Sequence, residues 1–204
     1  MDLLENYKKA WVNQPEGTDK LSSLEIYKLA HSKSSSIVKW IFIIGILEFV
    51  ILNSLYFIID MDEAYAEYKK MGLENFIFYT QIAAYGILLY FLVMFYLNYK
   101  RISTTDATRT LMRKILKTRK TVRNYVLFNL SYMALIMIVV TIASINNNFD
   151  DLNNKQIFLI IIATLIATLL ILGVLWLFYQ LLYGFLLRKL NRNYKELAKL
   201  GESN

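Results

Sequence analysis

Ile157 to Leu187 reads IFLIIIATLIATLLILGVLWLFYQLLYGFLL, 31 residues without a single charged side chain. A bilayer core of about 30 Å is crossed by roughly 20 helical residues, so this stretch is long enough to span one. Three more long apolar stretches occur, Ile37–Ile59, Phe76–Leu97 and Asn124–Ile145, of 23, 22 and 22 residues, the first interrupted only by Lys39 and Glu48 as charged residues. Together they hold 98 of the 204 residues. The pattern predicts an all-α polytopic membrane protein with four transmembrane helices, a 37–187 membrane domain flanked by segments 1–36 and 188–204. It rules out a soluble enzyme built on one water-excluded core, and it leaves little chain for a separate catalytic domain.

Charge gives the orientation. Loops on the cytoplasmic side carry excess Lys and Arg. The connection 98–123 has nine basic residues against Asp106, whereas 60–75 has five acids and two lysines, and 146–156 has Asp150, Asp151 and Lys155. The tail from Arg188 carries five basic residues and two acids. The basic excess alternates with each crossing, which predicts both termini and the 98–123 loop in the cytoplasm of a bacterial inner (plasma) membrane. The net charge of +7 is then an orientation signal, and no nucleic-acid partner is expected. The first 36 residues lack the apolar core of a signal peptide, so the first span reads as an uncleaved anchor.

The cytoplasmic parts read as short amphipathic helices. Leu3, Tyr7 and Trp11 recur at helical spacing before Pro15 and Gly17 break the chain, a stripe suited to the membrane surface or to a protein partner. Ser22 and Glu25 form a capping-box pattern opening a helix that runs through Lys33 into the first span. In the middle loop, with capping residues across Ser103–Asp106, Leu111, Ile115, Thr118 and Val122 make an apolar stripe. Arg109, Arg113, Lys114, Lys117, Arg119, Lys120 and Arg123 crowd the other faces. A basic amphipathic helix between two spans predicts an interfacial element in contact with anionic lipid headgroups. Leu190, Tyr194 and Leu197 continue a similar stripe, with Gly201 as the expected C-terminal cap. Lys39 and Arg123 fall at matching points before the odd-numbered spans, so each half reads as a cytoplasmic helix followed by a transmembrane hairpin.

Inside the apolar stretches, Glu48 stands out. It lies 11 residues into the first, and a charged carboxylate at mid-bilayer costs at least about 2.5 kcal/mol on insertion scales, so it should face the bundle interior. Counting depth along the other spans places Tyr85, Tyr132 and Thr168 at its level as hydrogen-bond partners. Asn53 and Gln81 lie toward the outer face and Asn129 toward the inner one. This set predicts either structural hydrogen bonding within the bundle or a proton or cation path. Ala163/Ala167 and Thr164/Thr168 on the fourth span are spaced for close helix packing.

The chain has no cysteine and one histidine, His31, and its seven glycines form no phosphate-binding loop. Disulfides, thiolate chemistry, multi-histidine metal sites and nucleotide fingerprints are therefore not expected, nor is any cofactor or metal. The acidic 60–75 connection fails calcium-loop spacing, since Tyr65 stands where glycine is required and Met71 where the bidentate glutamate belongs. No serine has a paired base and orienting acid, so a hydrolase triad is unsupported.

The runs Leu3-Leu4-Glu5-Asn6-Tyr7-Lys8-Lys9-Ala10-Trp11, Ser23-Leu24-Glu25-Ile26-Tyr27-Lys28-Leu29, Lys33-Ser34-Ser35-Ser36-Ile37-Val38-Lys39 and Ile115-Leu116-Lys117-Thr118-Arg119-Lys120-Thr121-Val122 resemble a family of small four-helix membrane proteins of Bacteroidota. That resemblance implies a fold and no established activity. Chains of this kind sometimes carry a label as carotene-cleaving oxygenases, whose four iron-binding histidines this chain lacks. The N-terminal segment also resembles membrane-bound anti-sigma regulators, without a histidine–cysteine zinc signature. The expected function is a non-enzymatic regulatory or scaffold protein docking a cytoplasmic protein partner through Leu3, Tyr7 and Trp11. The competing expectation is a small transporter or proton-coupled channel subunit using Glu48.

Overall fold

The computed structural model describes residues 23–54, 58, 60–104, 107–148 and 152–202. Among these residues there is helix and no strand. The elements are α1 (Ser23–Ser54), α2 (Asp62–Lys70), α3 (Glu74–Ser103), α4 (Thr108–Asn147), α5 (Asn154–Tyr179), a π turn (Gln180–Gly184) and α6 (Phe185–Glu202). Four helical rods are long and apolar enough to cross a membrane, the fourth being α5 continued through the π turn into α6. They mark a multi-pass membrane protein. The connections follow the charge reading, so one end of the bundle is basic and the other acidic.

Each rod is longer than its apolar stretch because the cytoplasmic-type helices and the spans are continuous. The helix opening near Ser23 runs through Lys33 into the first apolar stretch without a break. Likewise α4 begins at Thr108 and carries the basic segment straight into the third. The amphipathic stripe of the middle loop therefore does not lie flat on a membrane surface. Leu111, Ile115, Thr118 and Val122 are each 0% exposed, packed with Leu190 and Leu197 of α6 and with Ala30, Val38 and Ile41 of α1. Apolar stripes on three helices bury more completely against one another than one stripe does against headgroups, and this is the physical reason for the difference. Gly201 lies within the last turn of α6 instead of capping it.

The dense core thus occupies the basic end. Toward the acidic end the same rods present their apolar side chains outward, as on α5, where Leu165, Leu169 and Val174 are exposed. Outward-facing aliphatic surface of this extent suits lipid as solvent. Buried polar pairs fix the register within the core. Asn98 Nδ2 donates to Thr121 Oγ1 at 3.3 Å, and Asn193 Nδ2 to Ser34 Oγ at 3.1 Å. Gly45 allows α1 and α3 to approach closely, since a Cβ there would stand 3.1 Å from both Leu92 and Phe95.

Two local signals escaped the reading from sequence. The acidic connection holds a helix, α2, with Asp62 and Glu63 in its first turn and Lys69 and Lys70 in its last, the charge order the helix dipole favours. It closes on Gly72 at φ +68°, with Gly72 N–H donating to the Lys69 carbonyl and Leu73 N–H to that of Tyr68, a Schellman stop. Before the fourth rod, Asn153 and Gln156 exchange side-chain and backbone hydrogen bonds at 2.9 Å in a capping box.

Candidate functional site

The site is built around Glu48. One carboxylate oxygen accepts the Tyr179 hydroxyl and the other the Tyr183 hydroxyl, each at 2.8 Å. Both tyrosines belong to the fourth rod, Tyr183 inside the π turn and Tyr179 just before it. Such turns recur where a helix has to re-aim side chains at a site. Tyr125 of α4 lies against both rings, with centroids 6.1 Å from Tyr179 and 5.9 Å from Tyr183. Phe95 packs at 5.3 Å from Tyr125 and 6.3 Å from Tyr183. The carboxylate is thus seated on an aromatic plug, and the sealed core of the basic end lies beneath it.

Depth counting named other partners, and the register explains why. Ser34 pairs with Asn193 in antiparallel helices. Counting fourteen residues from Ser34 along α1 (34 to 48) reaches Glu48, and fourteen back from Asn193 (193 to 179) reaches Tyr179. The packed basic end sets the alignment, and the centre of the unusually long fourth apolar stretch does not. Glu48 correspondingly sits off the bundle's middle, toward the basic end. Tyr125 is two residues from Arg123, and Tyr183 five from Arg188.

On its other side Glu48 lines a cavity of about 420 Å³ enclosed by α1, α3 and α4, with Met61, Tyr65 and Tyr68 of the α2 region across its acidic end. Of the seven intramembrane polar residues picked out in the sequence, Glu48, Asn53, Gln81, Tyr85, Asn129 and Tyr132 line this one space. Thr168 does not; it is half-buried on α5. Asn53 and Asn129 each donate an amide hydrogen to the carbonyl four residues back, Phe49 at 2.7 Å and Tyr125 at 2.9 Å. Phe49 meets Tyr85 edge-on at 6.3 Å, and Phe128 stacks on Tyr132 at 6.1 Å. Both pairs line the cavity. Volume, apolar walls and a few convergent polar groups are those of a small-molecule pocket.

The remaining candidates are dispersed. Arg109, Arg113, Lys117, Lys120 and Arg123 are exposed around the basic end. Lys114 donates to the Arg101 carbonyl at 2.8 Å, and Arg119 to Asn191 Oδ1 at 2.7 Å. His31 has Nε2 2.8 Å from the Ile102 carbonyl and ties α1 to the end of α3. Leu3, Tyr7 and Trp11 lie outside the described residues. Among the described residues no cluster of three metal-ligating side chains occurs.

A chain with this topology and this site can be placed by comparison. Residues 24–202 match the family described as a domain of unknown function (DUF8845), and the chain belongs to that family. No curated protein and no solved structure matches it.

Proposed function

We propose that this protein is a non-catalytic ligand-binding component of the transporter class in a bacterial inner membrane. Its basic end and both termini face the cytoplasm, and its cavity opens away from it. The carrying observation is the convergence of Glu48 and five other intramembrane polar side chains on one cavity. Structural hydrogen bonding alone would need only the two tyrosines already bonded to Glu48. Exclusion from lipid would turn these groups inward, but it gives no reason for a space of about 420 Å³ to stand open between them. The aromatic plug stands between the cavity and the packed basic end, the arrangement of a site closed on that side. The basic loop and tail set the orientation.

The absence of cysteine gives a direct test. Ala84 lines the cavity, whereas Gly86, two residues along the same helix, looks into open space on the outer surface of α3. In intact cells, Ala84→Cys is expected to react with a membrane-impermeant thiol reagent added outside, and Gly86→Cys, facing lipid, to stay unmodified. An unreactive Ala84→Cys, or one modified only from the cytoplasmic side of inverted vesicles, would overturn the proposal.

A further inference from the structure

We infer that the ligand of this cavity is a lipophilic monocation, an amine or quaternary onium carrying apolar substituents. The inference rests on the binding role proposed above and names the ligand class it takes. Three observations carry it. Glu48 is the one ionisable carboxylate among the described residues lining the cavity, and no Lys, Arg or His stands among them. A ligand anion would meet no charge partner there, whereas a single positive charge would meet one. Glu48 also retains acceptor capacity, because a carboxylate offers about four lone-pair positions and the hydroxyls of Tyr179, Tyr183 and Tyr125 take at most three.

The walls add the second observation. Phe49, Tyr85, Phe128 and Tyr132 surround the space as two ring pairs, and ring faces attract cations while their edges and bodies take up apolar substituents. A small hydrated metal ion would have no use for such walls, and a neutral hydrocarbon would leave the carboxylate unanswered. The acidic end is the third. The segment across it carries Asp60, Asp62, Glu63 and Glu67, all exposed, beside the cavity-lining Met61, Tyr65 and Tyr68. Acidic groups around a low-dielectric opening concentrate cations at it.

The test uses Ala84→Cys in the full-length protein, reconstituted in vesicles. It compares a cationic methanethiosulfonate with an anionic one, each rate normalised to that with a free thiol in solution. The cation is expected to react at least about tenfold faster than the anion, as one nearby carboxylate in a partly desolvated site dictates. That preference should lose most of its size with Glu48→Gln added, leaving the small, salt-sensitive share of the exposed outer acids, and return with Glu48→Asp. Tetraphenylphosphonium should slow the modification saturably, whereas neutral triphenylphosphine oxide, of similar bulk, should not. Equal normalised rates in the Glu48 background would overturn the cation assignment while leaving an open cavity in place. A preference undiminished in Glu48→Gln would overturn it too, by moving the selectivity to the outer acids. No reaction with either reagent would remove the cavity reading and the ligand class together. The two-reagent comparison and the phosphonium protection need no change at Glu48, so they test the charge of the ligand class even if Glu48→Gln fails to assemble.

Discussion

Replacing Tyr183 by Phe removes one hydroxyl and little else, and the consequence can be worked from the structure. Tyr183 is 1% exposed and its hydroxyl donates to Glu48 at 2.8 Å. Interhelical hydrogen bonds within membranes average about 0.6 kcal/mol and reach about 1.7, and bonds to a charged acceptor run to about 1.5–3. Loss of this one is therefore expected to destabilise the bundle by about 1–2 kcal/mol. Glu48→Leu alone is a poor probe. It breaks two bonds but also relieves the carboxylate of its desolvation, and the two effects oppose. The coupling between the substitutions separates them. In the Glu48→Leu background Tyr183→Phe should cost almost nothing, giving a coupling energy of about 1–2 kcal/mol. Tyr179→Phe, which removes the other 2.8 Å bond, should behave alike. Reversible unfolding in mixed micelles by SDS titration, followed by circular dichroism, supplies the four free energies of the cycle. A coupling no larger than the roughly 0.3–0.5 kcal/mol within which independent sites add would refute the assignment of the fourth rod as Glu48's partner. With it would go the register that places the cavity floor.

Two further outcomes follow from where the bundle is packed. Ile115→Ala, at a position 0% exposed, should cost about 2–5 kcal/mol in the same assay, and Leu116→Ala, 43% exposed, less than about 1. Similar losses at the two positions would instead indicate a helix lying on the membrane surface. Gly45→Leu should destabilise by about 1–3 kcal/mol through overpacking against Leu92 and Phe95. Gly86→Leu, with nothing within 4 Å of the added Cβ, should leave the midpoint unchanged or raise it; a reversed order would contradict the α1–α3 contact.

The long apolar stretches needed no tertiary information to read, because bilayer thickness sets their length directly. The continuity of Ser23 through Lys33 into the first rod was legible for the same local reason: no Gly or Pro interrupts it. Six of the seven residues chosen for polarity within apolar sequence converge on one cavity, since lipid excludes such groups from the outer surface and leaves the interior as their place. What escaped was everything that depends on register. Tyr179 and Tyr183 lie close to Arg188, where tyrosine is common at a membrane boundary, so nothing in the sequence singles them out. Only the Ser34–Asn193 pairing brings them level with Glu48. The Leu111/Ile115 stripe was visible as a stripe, but whether it faces headgroups or other helices is a question about partners that no single helix answers.

The division between the two ends of the bundle is itself an argument about mechanism. At the basic end the apolar stripes of α1, α4 and α6 close into a core whose central side chains are 0% exposed, and buried amide and hydroxyl pairs lock its register. At the acidic end the rods are exposed along most of their length and enclose the cavity. Opening energies differ across a structure with the density of its buried contacts. The cavity walls are therefore expected to open at lower free energy than the packed end. Glu48 lies at the junction, hydrogen-bonded through Tyr179 and Tyr183 to the rod that continues into the packed end. A ligand charge that drew on this carboxylate would compete with those two hydroxyls, and any slackening of their bonds would act on the π turn that holds Tyr183. In the proposed role, ligand occupancy in the cavity would be joined to the packing of α6 in the basic end through one side chain and one irregular helical turn.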